Sequence, residues 1–344
     1  MADYSPGRLP RLELATGTNH SPHVVILGAG ASRACCPNGD ENGRPLPVMA
    51  DLVRDLSLED VVRKSGHDPA GNFETIYSTL YTAGDAATIN VLDEATRNYF
   101  SQVRLPEQVT IYDYLLLSMR PKDMIVSFNW DPLLPQAYRR WRHLGAVLPE
   151  IVFPHGNVDL ALHPGNRQAA FACDVVRKSG FEPCRLLYPV EKKNYNDDPF
   201  IADQWTGVTS WLGDAYFVTV FGYSAPATDV EARQLLKNAW INNPTCTLGA
   251  FDVVDIRSRQ ELEPSWQEFL RPTHGAYLPD IMHTFPMHHP RRTCEAFAFT
   301  TLQQQPWREQ PFPRISELAD LEKWVQPLLE EEKAGKLVNR GLKK

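Results

Sequence analysis

The amino-acid sequence predicts an α/β protein: an open, doubly wound parallel sheet with a long helical insertion and a helical C-terminal tail. Three observations carry that prediction. A short β-branched run, His23-Val24-Val25-Ile26-Leu27, passes directly into glycines, as a buried first strand of a parallel sheet does on entering a tight turn. Further short strands alternate with helical stretches, and roughly seventy residues of helical periodicity separate the first strand from the second, far more than one crossover needs.

Taken in order, residues 1–21 are rich in Pro, Gly, Thr and Asn and read as a loose arm. A domain is expected over 22–300, with a helical cover at 46–119 and an edge insertion at 163–185. Between Cys35 and Pro47 the chain is polar, with Pro37, Gly39, Gly43 and Pro45 before Leu46, which predicts a loop over the pocket. Apolar residues then recur at helical spacing over Leu46 to Leu58, Asn72 to Tyr81, Ala86 to Val103 and Thr110 to Met119, where Arg120-Pro121 stops the last helix. Strands are expected at Asp123 to Phe128, Ile151 to Phe153, Leu186 to Val190, Ala215 to Phe221 and Phe251 to Ile256, with a helix over Asp229 to Trp240. A helical tail occupies 301–344. Within it, Ile315, Leu318 and Leu321 fall near one face, Pro327 threatens a kink, and the segment is expected to dock on the domain or on another subunit.

Composition narrows the function. The 344 residues are 43% hydrophobic and 22% charged, as in a globular protein able to bury a large core. Net charge is −7 and there is no long basic tract, so direct nucleic-acid binding is disfavoured. Arg139-Arg140 and Arg291-Arg292 read as solvated helix faces, with local phosphate contact as the alternative. The amino terminus lacks a basic segment followed by an apolar one, and no run approaches the roughly 20 apolar residues of a membrane helix. The six cysteines include no Cys-x-x-Cys pair, which favours thiols in a reducing cytoplasm over a four-thiolate zinc site. We therefore expect a cytoplasmic protein without a metal.

Ligands of open α/β sheets bind at the carboxyl ends of the strands. Four such ends follow from the strand order: Gly28-Ala29-Gly30-Ala31-Ser32, Asn129-Trp130-Asp131, His155-Gly156 and Gly222-Tyr223-Ser224. Gly28 and Gly30 allow close backbone approach before a helix start, which suits a phosphate and makes the architecture Rossmann-like, although short glycine turns also serve plain packing. Asn129 can orient a water or hydroxyl without carrying charge, a carboxylate at Asp131 can grip a ribose or a departing base, and His155 can move a proton near neutral pH. Each has a structural alternative. Asp131 before Pro132 is a common cap for a helix starting at Leu133, His155 can be a turn residue, Tyr223 can be sheet packing, and Ser224 with Asp229 can form a helix-start turn.

At these residues the chain resembles the sirtuin-like superfamily, and within it a bacterial antiphage branch of NAD-consuming effectors. The resemblance rests on the glycine turn with Ser32, on Ser127-Phe128-Asn129-Trp130-Asp131, on His155-Gly156 and on Gly222-Tyr223-Ser224 with Thr228-Asp229. Leu46-Pro47 and Asn72-Phe73-Glu74 also look like this branch, and the likeness spans about residues 22 to 256. It implies a bound NAD whose pyrophosphate lies over Gly28 to Ser32 and whose nicotinamide ribose reaches Asn129 and His155. By the same resemblance Asn129 holds the attacking water or ribose hydroxyl, His155 is the base or proton relay, and Asp131 fixes the nicotinamide end. Gly222 and Ser224 fall on the adenosine side, Tyr223 and Asp229 are further cofactor-binding residues, and Asp255 is a ribose ligand.

Deacylating sirtuins carry two Cys-x-x-Cys pairs, whereas the insertion here holds only Cys173 and Cys184. That departure, with the long helical cover, favours NAD hydrolysis to nicotinamide and ADP-ribose over deacylation or ADP-ribosyl transfer. A dinucleotide sensor that does not turn over is the non-enzyme alternative, and an oxidoreductase is disfavoured because no redox motif accompanies the turn. The resemblance further implies control by assembly: a homo-oligomer, or a complex with a separately encoded defence protein that is argonaute-like, an ATPase or signal-producing.

Overall fold

In the computed structural model of the chain, residues 12–13, 18–145, 147–165, 168–175, 180–188, 195, 198–225, 229–271 and 273–335 are described. The loose arm and Thr228 fall wholly or largely outside them. Two short antiparallel strands, β1 (Leu12–Glu13) and β2 (Thr18–Asn19), precede β3 (His23–Leu27) and α1 (Ala29–Cys35). The cover follows as α2 (Leu52–Asp55), α3 (Glu59–Lys64), α4 (Phe73–Ala83), α5 (Ala86–Ser101) and α6 (Ile111–Ser118). Next come β4 (Met124–Ser127), α7 (Leu133–Trp141), β5 (Glu150–Val152), β6 (Leu160–His163), β7 (Gln168–Phe171), α8 (Ala172–Val175) and β8 (Glu182–Pro183). The remainder is α9 (Pro199–Asp214), β9 (Phe217–Phe221), α10 (Val230–Ile241), β10 (Ala250–Val254), α11 (Arg259–Leu270), β11 (Tyr277–Leu278), α12 (Phe285–His288), α13 (Thr293–Thr301) and α14 (Leu318–Lys333).

Six strands form one parallel sheet in the order β11-β10-β9-β3-β4-β5. The chain leaves β3 toward β4 and β5, then returns to the other side of β3 through β9, so the order reverses between β3 and β9. Alternation along each strand supplies both faces of the core. Val25, Leu27 and Ile125 pack with the cover, α7 and α14, while Val24, Ile26, Val126, Val218 and Val253 pack with α9, α10 and α11. The result is a sheet buried on both sides by helices, the doubly wound Rossmann-like arrangement expected from the strand pattern. Among the described residues no helix is long and apolar enough to cross a membrane.

Several boundaries differ from the sequence expectation, for local reasons. Residues 44–48 are not helical, because Pro45 and Pro47 disfavour helical dihedrals in themselves and their predecessors. The helix expected over Leu46 to Leu58 is reduced to α2, after which Ser57 at φ 56° turns the chain into α3. Leu186 to Tyr188 form no strand, and residues 189–190 lie outside the described set; Leu187 N–H instead donates to the His155 carbonyl at 2.9 Å. The edge insertion folds with the residues just before it into an antiparallel sheet, β7-β6-β8, for which the sequence predicted no strands. Pro327 lies inside a continuous α14, where it and Lys323, whose carbonyl loses its partner, are both exposed.

The tail docks on its own domain: Leu321, Val325, Leu328 and Leu329 join the core beneath the cover. Arg291 and Arg292 are not a solvated helix face. Both are buried and donate to Glu332 of α14 at 2.6–2.7 Å, and Arg291 also donates to the Met119 and Val147 carbonyls. Arg139 pairs with Asp159, and Arg140 with Asp113 at 3.2 Å. All six cysteines are free thiols, buried except for Cys173.

Candidate active site

The ends of β3 and β9 meet more closely than side chains permit. A Cβ on Gly28 would lie 2.5 Å from the Tyr223 Cα, and one on Gly222, whose φ is +62°, would lie 2.2 Å from the Ala31 nitrogen. Gly28 and Gly30 N–H donate to the carbonyls of Phe221 and Gly222 at 3.1 and 3.0 Å, and Ala31 N–H donates to the Gly28 carbonyl at 2.9 Å. These glycines hold the switch point together, and three of the turn's amides are spent doing so. The anion cradle expected from the spacing is therefore not supplied by those amides. Ala31 is fully buried and off the cavity wall, contrary to the expected contact.

Above this junction lies a cavity of about 760 Å³, within the roughly 300–1,000 Å³ usual for small-molecule sites. Gly28, Ala29, Gly30, Ser32, Asn129, Asp131, His155, Gly222, Tyr223, Ser224, Asp229 and Asp255 all line it. The strap at 46–50 crosses it, tied down by Arg33, whose Nε donates to the Leu46 carbonyl at 3.1 Å and whose guanidinium pairs with Asp51. Asn72 caps α4 at the rim by accepting from Glu74 N–H at 2.8 Å.

Asn129 is buried on the cavity floor with its carboxamide fixed. Its Nδ2 donates to the Gly28 carbonyl and to Ser32 Oγ, both at 2.9 Å, and more weakly to the Tyr112 hydroxyl at 3.3 Å. Since a carbonyl can only accept, the amide nitrogen must face Gly28, which turns Oδ1 the other way. Ser32 Oγ donates to Asp131 Oδ2 at 2.7 Å, so the Tyr112 hydroxyl, 2.8 Å away, donates to Ser32. The network closes with each hydrogen used, and the Ser32 hydroxyl is committed to it instead of pointing at a phosphate. Burial pushes the Asp131 carboxyl above the usual carboxylate range, an effect partly offset by the Ser32 and Leu133 hydrogen bonds. Asp131 also caps α7, accepting from Leu133 N–H at 3.1 Å, so the capping alternative is realised alongside its place on the cavity wall. Asn157, fully buried, donates to the carbonyls of Asn129 and Asp131 at 3.1 and 2.7 Å and ties this segment to the loop after β5.

His155 lies across the cavity, with Gly156 at φ +72° allowing the turn beneath the Arg185 carbonyl. His155 Nε2 is 3.3 Å from Asp229 Oδ2 and 3.4 Å from the Tyr195 hydroxyl, which itself donates to Asp229 Oδ1 at 2.8 Å. Asp229 makes no side-chain cap to α10; its carboxylate orients an imidazole, a role its sequence position did not reveal. Tyr223 stacks on Phe128 at 4.6 Å, so it packs the sheet and faces the cavity together. Asp255 is gripped by Arg257 at 2.7 Å, which outweighs burial and holds its carboxyl below the usual range. Among the described residues no group of three or more His, Cys, Asp or Glu is placed to hold a metal ion.

Tyr112, Asn157 and Tyr195 escaped the sequence reading. Tyr112 had one signal, a hydroxyl-bearing residue within a short apolar helix; the other two had none.

Fold and site together define an open parallel α/β sheet carrying, at its switch point, a largely apolar cavity of small-molecule size on which a few polar side chains converge. The chain is similar to solved Sir2 structures. One Sir2 structure holding an inhibitor, 2′-O-acetyl-ADP-ribose and a deacetylated peptide is 12% identical with a TM-score of 0.39, over 82% of this chain and 94% of that one. Another, described as bearing on the mechanism and regulation of Sir2 enzymes, is 12% identical with a TM-score of 0.40, over 83% and 94%. A Sir2 homologue in complex with NAD is 12% identical with a TM-score of 0.33, over 82% and 90%. No protein-family model and no curated protein matches the chain.

Proposed function

We propose that the chain is an NAD glycohydrolase, cleaving the bond between nicotinamide and ribose to release nicotinamide and ADP-ribose. The observation that carries this reading is the carboxamide of Asn129, held by Gly28, Ser32 and Tyr112 on the floor of a cavity whose other wall carries an oriented imidazole. A neutral carboxamide accepts a hydrogen bond from a water and positions it, without being a carboxylate nucleophile that would compete with the water for the developing cation. In the proposed reaction Asn129 Oδ1 accepts a hydrogen bond from the water. The water oxygen bonds to the ribose C1′ as the C1′–N bond breaks, and nicotinamide leaves as a neutral base. His155, held by Asp229, takes the water's proton and returns it to solvent. Asp131 and the Phe128 and Trp130 rings bound the nicotinamide end. Gly222, Tyr223, Ser224 and Asp255 bound the adenosine side, and Ala29 with the glycine Cα atoms bounds the pyrophosphate. The reaction needs no metal.

Residues 22–300 form the catalytic domain in this reading and 301–344 its tail. An antiphage effector role in the cytoplasm, controlled by oligomerisation or by a separately encoded defence protein, follows from the same reading, since unrestrained NAD loss harms the host. The test is product analysis of NAD incubated with the full chain in chelator, alone and with its neighbouring-gene product, with and without an acyl-lysine peptide. Equal amounts of nicotinamide and ADP-ribose, independent of peptide, are expected. Release that requires the peptide and yields an acylated ADP-ribose makes the chain a deacylase, and NAD binding without any release makes it a binding subunit.

A further inference from the structure

A second cavity, of about 230 Å³, lies between the α12–α13 turn and the tail helix α14, and none of its wall residues lines the strand-end cavity. Two of those residues, His289 and Arg292, are each 4% exposed and carry a buried nitrogen without a protein partner, Nδ1 and Nε respectively. The rest of the Arg292 fork is satisfied: Nη1 donates to the Arg291 carbonyl at 2.9 Å and to Glu332 at 2.6 Å, and Nη2 to the Leu328 carbonyl at 3.2 Å. An N–H left unpaired on a permanently charged, buried group is unfavourable, and the group it lacks is an acceptor, best an anionic one.

Two neighbours complete the wall. Arg308 is exposed and makes no hydrogen bond or ion pair among the described residues, while the Trp307 ring supplies an apolar face. Two carboxylates share the wall: Glu309 is turned to His288 Nδ1 at 3.1 Å, and Glu331 lies 3.6 Å from Nη2 of Arg292 itself and leaves its Nε unpaired. Guanidinium groups meet the oxygens of tetrahedral oxyanions in pairs of hydrogen bonds.

We propose that this cavity binds a small phosphate-bearing anion, its oxygens held by Arg292 Nε and the Arg308 guanidinium and any organic portion lying against Trp307. Because Leu328 and Glu331 of α14 form one side, the bound anion fastens the tail to the domain. The site stands independently of what the strand-end cavity does.

The test is calorimetric titration of the full chain with inorganic phosphate and, separately, with ribose 5-phosphate, at constant ionic strength set by chloride. One saturable site is expected for at least one of the two, with affinity unchanged by saturating NAD. Arg308→Gln, at an exposed position that tolerates substitution, weakens that binding about tenfold, as loss of a charge-assisted contact does, and leaves NAD binding unaltered. Tighter binding of the sugar phosphate identifies an ester as the ligand, and tighter binding of the ion identifies free phosphate. No saturable binding of either probe, equal affinity in Arg308→Gln, or displacement by NAD overturns the proposal.

Discussion

At the scale of single residues, the site is organised around which hydrogen each polar group spends. Tyr112 illustrates this: its hydroxyl, raised well above its ordinary value by burial and then by the nearby Asp131 charge, stays protonated and donates to Ser32, which donates to Asp131. Tyr112→Phe removes that donor while preserving the ring. Turnover is expected to fall about tenfold with NAD affinity within about twofold, since only the orientation of Asn129 is disturbed. A matched fall in affinity, read by equilibrium binding, would show instead that the hydroxyl shapes the pocket generally. Asn129, Asp131 and His155 were legible in the sequence because each follows a recognisable strand. Their partners were not. Sequence reveals which residue leaves a strand, but not that Tyr112 from α6 and Ser32 from α1 converge on the same amide. Nor does it reveal that Asp229, a natural helix-start residue, faces an imidazole instead.

At the scale of elements, one strand end and one strand interior give measurable consequences. Gly222→Ala places a Cβ 2.2 Å from a backbone nitrogen at a φ of +62°, so β9 and α1 must separate. The variant is expected to lose NAD binding and to unfold at a lower temperature than the wild type; unchanged binding in a folded variant would refute the close approach described here. Within β10, burial pushes Asp252 up to about 6, with a partial offset from the Ala276 N–H. A carboxyl with a raised folded value favours the native state while protonated. Its contribution is therefore present below about 4 and is lost as pH rises through about 6. Asp252→Asn should gain stability over wild type across that window, by about 3 kcal/mol at its upper end. Denaturant unfolding at a series of pH values measures the difference, and a pH-independent difference contradicts it. The strands β3, β4, β9 and β10 were legible because buried parallel strands are short, β-branched and bounded by glycine or polar turns. The segment 46–58 misled because apolar residues at helical spacing cannot outweigh Pro45 and Pro47. Leu186 to Tyr188 misled because an apolar run also suits a loop packed over a cavity.

At the scale of the whole molecule, the tail is part of the folded unit. Glu332 of α14 receives Arg291 and Arg292, and Arg120 approaches it at 4.0 Å, so one carboxylate compensates several buried guanidinium groups. Glu332→Ala leaves those charges buried and is expected to cost about 3–5 kcal/mol, the range for breaking a buried pair from one side. A loss below about 1 kcal/mol in urea unfolding would mean that water already compensates the arginines. Sequence supplied the helix and its apolar stripe but not its destination. The stripe fits any apolar groove, and only the arrangement of Arg291, Arg292 and Glu332 shows that the groove belongs to the same chain.

The central claim, that the strand-end cavity turns NAD over through Asn129, is tested most directly by nicotinamide release from wild type and from folded Asn129→Ala, with NAD affinity measured for both. The account predicts a fall in release of at least about a hundredfold with affinity changed by less than about tenfold. Release that persists at the wild-type rate in the Asn129 variant would contradict it.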